Sequence, residues 1–215
     1  MSNEINIAVI GLGQIGSYLL NELNNKKKDI LNKTGKKINI VAVSAKNKNK
    51  KRSFKINKKI FYSNPLEIIK KKKIDILFEA IGLSDGISKK IVEIAIKNKI
   101  HVITPNKALI SKHGDYLSKL AEKNKVNLEF EASVGGGIPI LRTIKEGLAT
   151  NKIFKVYGIL NGTSNYILSE METTKNSFED VLKKAQSLGY AEPGNPKLDL
   201  NGYDALAKVK ILSSL

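Results

Sequence analysis

The chain has 215 residues, 41% of them hydrophobic, which allows one large domain or two small ones with a real core and excludes a disordered chain. The absence of cysteine excludes disulfide bonds and thiolate zinc sites, and no apolar run approaches the roughly 20 residues of a membrane helix. The net charge of +17 comes from scattered lysines, with Arg52 and Arg142 as the only arginines and 6% aromatic residues, so we expect no nucleic-acid partner.

The first 130 residues predict strands and helices in alternation. Apolar runs predict buried strands at residues 5–10, 38–43, 74–81, 101–104 and 126–130. Apolar side chains at helical spacing predict helices between them: one with Ile15, Leu19, Leu20 and Leu23 on one side, a short one opened by Pro65, one with Ile87, Ile91, Ile94 and Ala95, and one over residues 109–124. The lysine-rich residues 46–59 predict irregular structure. This alternation is typical of a parallel α/β sheet covered on both faces.

The character of the sequence changes after residue 130. Glycines at 135–137 and Pro139 predict a break, followed by a helix with Ile140, Leu141, Ile144 and Leu148. Partial alternation predicts a strand at residues 153–160. Further on, Ser177 predicts the N-cap of a helix that ends at Gly189, and residues 203–215 predict a final helix. We therefore expect two domains, residues 1–130 and a smaller α+β domain over residues 131–215.

A glycine motif joins the first strand to the first helix. Gly11-Leu12-Gly13-Gln14-Ile15-Gly16 is a G-x-G-x-x-G in the context that dinucleotide binding requires. The first glycine permits a tight turn, the second lets a pyrophosphate approach the backbone, and the third lets helix and strand pack closely. The alternative is a glycine-rich turn without a ligand. The motif predicts a Rossmann-type, doubly wound domain with cofactor contacts at Gly11, Gly13, Gln14, Ile15 and Gly16.

The end of the second strand bears on the choice between NAD and NADP. NAD enzymes usually place an acid there for the ribose 2′-hydroxyl. This chain instead has Ser44 and Lys46, followed by further cations that include Arg52. The lack of a carboxylate and the excess of cations favour NADP over NAD. The alternative is an unspecific lysine-rich loop in a lysine-rich chain.

Several motifs in the rest of the chain resemble those of homoserine dehydrogenase. They are Thr-Pro-Asn-Lys-Ala-Leu-Ile at 104–110, Glu-Ala-Ser-Val-Gly-Gly-Gly-Ile-Pro at 131–139, Gly-Ile-Leu-Asn-Gly-Thr-Ser-Asn-Tyr-Ile-Leu at 158–168, Gly-Tyr-Ala-Glu-Pro at 189–193 and Asp-Leu-Asn-Gly-Tyr-Asp-Ala-Leu-Ala-Lys at 199–208. The resemblance implies NAD(P)H-dependent reduction of L-aspartate 4-semialdehyde to L-homoserine, in threonine and methionine biosynthesis. Since family members continue past the last residue here, we expect the second domain to be an incomplete, truncated substrate domain.

The resemblance also implies roles for individual residues. Lys208 would donate the proton to the developing alkoxide, and Lys107 would lie between nicotinamide and substrate, in contact with the cofactor. The remaining substrate-binding residues would be Glu192 and Asp204 at the amino end of the substrate, Asp199 in support, and Asn161, Gly162 and Thr163 as donors. Without the resemblance, Lys208 and Asp204 would be interpreted as a surface i,i+4 ion pair, and Thr163 or Ser164 as a helix cap.

The resemblance further implies a site for a monovalent cation such as sodium, and a homodimer formed through the second domain. The cation would bind Glu131 and the carbonyl oxygens of Val134, Gly136 and Ile138, oxygen ligands of the kind that hard cations prefer. The alternative there is an ordinary interdomain turn.

Other functions remain as alternatives. A phosphorylating semialdehyde dehydrogenase is excluded, because it needs a nucleophilic cysteine. An NAD(P)-binding module or degenerate fragment without turnover would bind cofactor and never oxidise it. A nucleic-acid binder would show strongly salt-sensitive binding. The opening residues do not match a signal peptide, so a cytoplasmic location without membrane contact is the simplest expectation.

Overall fold

The computed structural model describes residues 3–48, 52, 56–191 and 197–215. The chain forms two compact units, Met1–Ser133 and Val134–Leu215. Within the described residues, every helix is too short or too polar to cross a bilayer.

The first unit is built on a six-stranded parallel sheet. Its strands are β1 (Glu4–Ile10), β2 (Lys37–Ser44), β3 (Phe61–Tyr62), β4 (Ile76–Glu79), β5 (His101–Ile103) and β6 (Leu128–Glu129). Their order in the sheet is β3-β2-β1-β4-β5-β6, and all neighbouring pairs are parallel. The prediction of a Rossmann-type parallel α/β fold is confirmed. The chain order reverses between β1 and β4. In sheets of this kind, ligands bind at the carboxyl ends of the two strands where the order reverses.

Helices of the first unit lie between β1 and β2 and between successive strands from β3 to β6. They are α1 (Gln14–Asn25), α2 (Lys27–Thr34), α3 (Leu66–Lys71), α4 (Ile87–Lys97) and α5 (Lys107–Asn124). Helix α4 buries Ile91, Val92, Ala95 and Ile96 completely, and α5 buries Leu109 and Leu117 completely. Such apolar stripes drive the helices onto the sheet, because each buried side chain of this size contributes about 1.5–3 kcal/mol.

Several boundaries differ from the sequence prediction. Helix α2 and the two-residue strand β3 were not predicted, since α2 buries no side chain completely and so lacks an apolar stripe. The strands expected at residues 74–81 and 126–130 are shorter in the structure and extend over Ile76–Glu79 and Leu128–Glu129. Ile15 is 56% exposed and does not share the buried side of α1 with Leu20. Helical side chains lean toward the helix N-terminus, so one in the first turn leans past the end of the helix.

The second unit consists of helices and irregular segments over its described residues. Its helices are α6 (Ile140–Arg142), continued by a π-helical turn at Thr143–Gly147, then α7 (Gly162–Thr174), α8 (Phe178–Ser187), α9 (Lys197–Leu200) and α10 (Tyr203–Leu212). A small core forms where α7 meets α8, from Ile167, Val181, Ala185 and Ala191. The predicted cap of α8 is confirmed, since the Ser177 hydroxyl accepts from the Asp180 N–H.

The predicted strand at residues 153–160 is wrong. No strand is formed there, and no described residue of the second unit belongs to one. A strand requires a neighbour to complete its backbone hydrogen bonds, whatever its side-chain pattern. Its apolar side chains are instead exposed, with Phe154 91% and Tyr157 84% accessible.

Candidate active site

The glycine turn at the end of β1 has a geometry that only glycine permits. Gly11 adopts a φ of 93°, and its N–H donates to the Ser44 carbonyl at 2.8 Å. A Cβ on Gly11 would lie 2.4 Å from the Ala80 carbonyl oxygen, and one on Gly16 would lie 1.9 Å from the Gly11 oxygen. Both contacts are with backbone atoms that cannot move aside. Gly11 therefore lets the turn close against Ala80, directly after β4, and Gly16 lets α1 pack against the Gly11 carbonyl.

The second glycine of the motif faces open space. A Cβ on Gly13 would meet no atom within 4 Å, and Gly13 is the N-cap residue of α1 without a side-chain capping bond. The first turn of α1 contains no acidic residue, and Gln14 and Ile15 in it are exposed. The free N–H groups and positive dipole end of the helix therefore face solvent at this turn, an arrangement suited to a pyrophosphate.

The end of β2 adjoins the glycine turn. Ser44 is buried and supplies the carbonyl that Gly11 binds, whereas Lys46 is exposed just beyond it. Arg52 donates from Nη2 to the Asn47 carbonyl at 2.9 Å. Lys50 and Lys51 lie outside the described residues. Ser44 and Lys46 present no carboxylate to a 2′-phosphate at this position.

Sequence reasoning missed a buried carboxylate at the end of β4. Glu79 is fully buried, and its Oε2 accepts from the Thr104 hydroxyl at 2.7 Å and from Asn106 Nδ2 at 3.2 Å. Its Oε1 accepts from the Ile81 N–H at 2.8 Å. An acidic residue that ends an otherwise apolar buried strand was the available signal, because burial of an unpaired carboxylate is costly and implies partners.

The Thr-Pro-Asn-Lys motif is the partner of that carboxylate. Asn106 also caps α5, since its Oδ1 accepts from the Leu109 N–H at 3.1 Å. Lys107 is the first residue of α5 and is half-buried. The predicted contact between Lys107 and the cofactor thus depends on a turn that Asn106 fixes.

The loop between β4 and α4 is tied to α5 by a surface cluster. Asp85 contacts Lys112 Nζ at 2.6 Å, the Ser84 hydroxyl at 2.7 Å and His113 Nε2 at 2.9 Å. Hydrogen bonds from Lys112, Ser84 and His113 hold the pKa of Asp85 well below its usual value of 3.8.

In the second unit, Lys208 and Asp204 form a largely buried ion pair. Their Nζ and Oδ2 atoms are 2.8 Å apart, and the side chains are 18% and 12% exposed. Lys208 Nζ also donates to the Leu160 carbonyl at 2.6 Å. Burial lowers the pKa of the Lys208 ammonium below the ordinary lysine value of 10.5, against an opposing effect of the Asp199 carboxylate. The low exposure does not match a solvated surface pair.

Asn161 connects this pair to a second carboxylate. Its Nδ2 donates to Asp199 Oδ1 and to Asp204 Oδ2, each at 2.9 Å. Its Oδ1 accepts from the Ser164 N–H at 2.8 Å and caps α7. The cap suggested at Thr163 or Ser164 is therefore wrong; Asn161 holds that position because it has both an acceptor and a donor to use.

Thr163 completes the network. Its hydroxyl contacts Asp199 Oδ2 at 3.1 Å and the Tyr190 carbonyl at 2.5 Å. Gly162 begins α7 and is exposed. The structure thus brings Asn161, Thr163, Asp199, Asp204 and Lys208 into one hydrogen-bonded cluster, called the acid–lysine cluster below. Glu192, predicted to act with them, lies outside the described residues.

The residues predicted to bind a cation lie in two short turns. Glu131 begins a 3-10 turn over Glu131–Ser133, and Val134 is buried. Gly136 and Ile138 are exposed, and the Ile138 N–H donates to the Gly135 carbonyl at 2.7 Å. Within the described part of the chain, no three His, Asp or Glu side chains form a metal-binding group, so a cation here would rely on carbonyl oxygens.

Comparison with known proteins identifies similar chains along nearly the whole length. A family model described as "Homoserine dehydrogenase, NAD binding domain" matches residues 11–131, and one described as "Homoserine dehydrogenase" matches residues 139–215. The homoserine dehydrogenase of Neisseria gonorrhoeae is 41% identical over 98% of this chain and 48% of its own length, and that of Bacillus subtilis is 37% identical over the same shares.

Solved structures give the same result. The crystal structure of a homoserine dehydrogenase from S. aureus matches with a TM-score of 0.84 at 37% identity, over 99% of this chain and 49% of the other. The chain spans about half the length of the curated relatives it matches.

Proposed function

Since the chain belongs to the homoserine dehydrogenase family, we propose that it reduces L-aspartate 4-semialdehyde to L-homoserine with a nicotinamide cofactor, a step toward threonine and methionine. The observation that carries the proposal is the acid–lysine cluster. In it, the largely buried Lys208 ammonium and the Asn161 amide both contact Asp204 Oδ2, and the same amide also donates to Asp199. The domain assignment belongs to the proposal: residues 1–130 bind the cofactor and residues 131–215 hold the substrate.

The first unit binds the dinucleotide at its glycine turn. Gly11 and Gly16 shape the turn, while Gly13 and the N-terminus of α1 receive the pyrophosphate. NADP is favoured over NAD, because the end of β2 carries Ser44 and Lys46 and no acid. The bound nicotinamide supplies the hydride, and the protein supplies position and a proton.

The second unit supplies the proton. Hydride addition leaves negative charge on the carbonyl oxygen, and Lys208 stabilises and protonates that oxygen. Burial lowers the pKa of Lys208, which makes its ammonium a better acid near neutral pH. Asp204, with Glu192, binds the substrate ammonium; Asp199 has both oxygens occupied by Asn161 and Thr163, which suits a supporting role. The remaining residues proposed to act in the site are Gly162, as a donor to the substrate, and Lys107, between nicotinamide and substrate.

A homodimer and a bound cation are also part of the proposed function. A homodimer through the second unit is supported by exposed apolar side chains at residues 153–160, including Phe154 and Tyr157, which a partner would cover. A sodium ion on Glu131 and the carbonyls of Val134, Gly136 and Ile138 is proposed from the family resemblance, and a cytoplasmic location fits a chain without cysteine.

The decisive experiment mixes the protein with NADPH and aspartate semialdehyde and follows the loss of nicotinamide absorbance. We expect turnover by the wild type and a loss of about 100-fold or more in Lys208→Ala, from the usual contribution of a general acid. Lys210→Ala is the matched control, because Lys210 lies on the same helix and is exposed. If NADPH binds and is never consumed, the chain is a cofactor-binding module and the proposed activity is wrong.

A further inference from the structure

We propose that Glu79 is a positioning residue that holds the Thr104–Lys107 turn in place beside the glycine turn. The inference rests on the proposed function, since it takes the glycine turn as the cofactor site and Lys107 as a residue that acts next to the cofactor. The side-chain hydrogen bonds of Glu79 go to Ile81, Thr104 and Asn106, so its proposed role is indirect.

Glu79 lies at the point where the sheet reverses its chain order. It is the last residue of β4 and pairs with Ile10, the last residue of β1. The residue that follows it, Ala80, donates its N–H to the Ile10 carbonyl at 2.7 Å, and its own carbonyl occupies the space where Gly11 would carry a Cβ. Any shift of the β4 end is therefore transmitted directly to the glycine turn.

The carboxylate fixes its surroundings because it is fully buried. A buried carboxylate without hydrogen bonds is strongly unfavourable, so its donors are held in place. One donor is local, the Ile81 N–H, and the other two come from the turn after β5, the Thr104 hydroxyl and the Asn106 amide. The Thr104 hydroxyl also accepts from the Asn106 N–H at 3.0 Å, which directs its own proton toward Glu79.

Asn106 transmits the position of Glu79 to Lys107. Its Nδ2 donates to Glu79 and, at 2.8 Å, to the Leu83 carbonyl, while its Oδ1 caps α5. One amide thus joins the end of β4, the loop after it and the first turn of α5. Lys107 is the first residue of that turn, so its backbone position follows from this set of bonds.

The test compares two variants that change the same contact from opposite sides in the full chain. Glu79→Gln removes the charge and one of the two acceptor oxygens, and Thr104→Val removes the hydroxyl donor. The first readout is the affinity for NADPH, titrated by cofactor fluorescence without any substrate. The second readout is the rate at which a lysine-directed acylating reagent modifies Lys107, measured by mass spectrometry. The modification rate of Lys37 is the reference, because Lys37 is the first residue of β2 and the glycine turn adjoins the last. Neither readout requires turnover.

We expect each variant to weaken NADPH binding by about tenfold, the equivalent of about one buried hydrogen bond to a charged group. The Lys107 modification rate should change severalfold, with that of Lys37 unchanged. The double variant should lose less NADPH affinity than the sum of the two single losses, because both changes act on the shared contact between Glu79 and Thr104. Ser88→Ala is the matched control: Ser88 is fully buried on α4 with no hydrogen-bond partner for its hydroxyl among the described residues, and both readouts should stay at wild-type values.

A purely structural role for Glu79 would lower the melting temperature and leave NADPH affinity and Lys107 reactivity within twofold of the wild type; that result overturns the inference and leaves the proposed function intact. If Glu79→Gln does not fold, Thr104→Val decides by the same criteria. A wild-type protein that does not bind NADPH would refute the proposed function, and the inference with it.

Discussion

Asn161 Nδ2 lies 2.9 Å from Asp204 Oδ2, the same oxygen that contacts Lys208 Nζ at 2.8 Å. The amide and the ammonium therefore share one acceptor, and each limits where the other can move. The position and orientation of the Asp204 carboxylate are therefore fixed by two donors, and recognition of a substrate ammonium requires such fixed geometry.

Asn161→Ala should damage both the fold and the activity. It removes the cap of α7, at a cost of about 1–2 kcal/mol in the free energy of unfolding, and it removes the amide donor that Asp199 and Asp204 share. We expect kcat to fall by more than tenfold, measured by NADPH oxidation, with the stability loss measured by urea unfolding. Ser177→Ala removes the cap of α8 together with a bond to the exposed Asp180 carboxylate, which lies outside the acid–lysine cluster. Equal losses of activity in both variants would contradict the role given to Asn161.

The rate of semialdehyde reduction should fall at alkaline pH as Lys208 loses its proton. Because burial lowers the pKa of Lys208, the midpoint of this decline should lie below 10.5, the ordinary lysine value. The acid form is the active one, so activity is present below the folded-state pKa and lost above it. Lys208→Arg should retain the charge and abolish this limb of the pH–rate profile, since guanidinium does not titrate in this range. A decline that persists in Lys208→Arg would have another origin.

The three glycines of the turn should differ in the effect of alanine. Gly11→Ala and Gly16→Ala place a Cβ against backbone, and we expect each to lower the free energy of unfolding by about 1–3 kcal/mol. Gly13→Ala enters open space, so it should leave stability nearly unchanged and weaken NADPH binding. Chemical denaturation and cofactor titration separate the two effects, and a Gly13→Ala variant with wild-type NADPH affinity would argue against a pyrophosphate at this position.

Lys46→Glu should shift cofactor preference from NADPH toward NADH. The new carboxylate would repel a 2′-phosphate and could accept from a 2′-hydroxyl. We expect at least about tenfold weaker NADPH binding, which is about 1.4 kcal/mol, with NADH affinity equal or improved. Lys33→Glu on α2 makes the same charge change at another exposed position and should leave the ratio unchanged. An equal shift in both variants would indicate a general charge effect.

The contribution of the Asp85 cluster to stability should be complete above about pH 3.8 and should decrease at lower pH. Its folded-state pKa is depressed below the unfolded value of 3.8, so the contribution is present above 3.8 and is lost as pH falls toward the folded-state pKa. The difference in urea midpoint between wild type and Asp85→Asn should therefore shrink as pH falls below 3.8. High salt should reduce it too, since Asp85 is half exposed. A difference that is constant with pH would exclude this ion cluster as its cause.

The sequence was informative where a local pattern and its tertiary setting agree. Residues 7–10 of the predicted run 5–10 are buried on both faces of the sheet. The need for Gly16 arises within the motif itself, from the Gly11 carbonyl, whereas the need for Gly11 arises from the distant Ala80. The cap of α7 was misplaced because Asn161, Thr163 and Ser164 all have good capping side chains, and only the distant Asp199 and Asp204 favour the amide.

Other features could not be obtained from local pattern. The strand expected at residues 153–160 has suitable side chains and lacks a neighbouring strand among the described residues, and pairing is not a local property. The position of Glu79 after an apolar strand indicates a buried carboxylate that needs partners, but which partners it has is known only from the fold, where Thr104 and Asn106 donate to it.

The strand order also determines how the first unit can be assembled during synthesis. β1 emerges first from the ribosome but lies in the centre of the sheet, with β2 on one side and β4 on the other. It can pair early with β2, while its second edge stays open until β4 has been translated. The glycine turn, which Ala80 closes from the β4 side, is therefore completed late, and a nascent chain that stalls before β4 exposes a bare strand edge to neighbouring chains and chaperones.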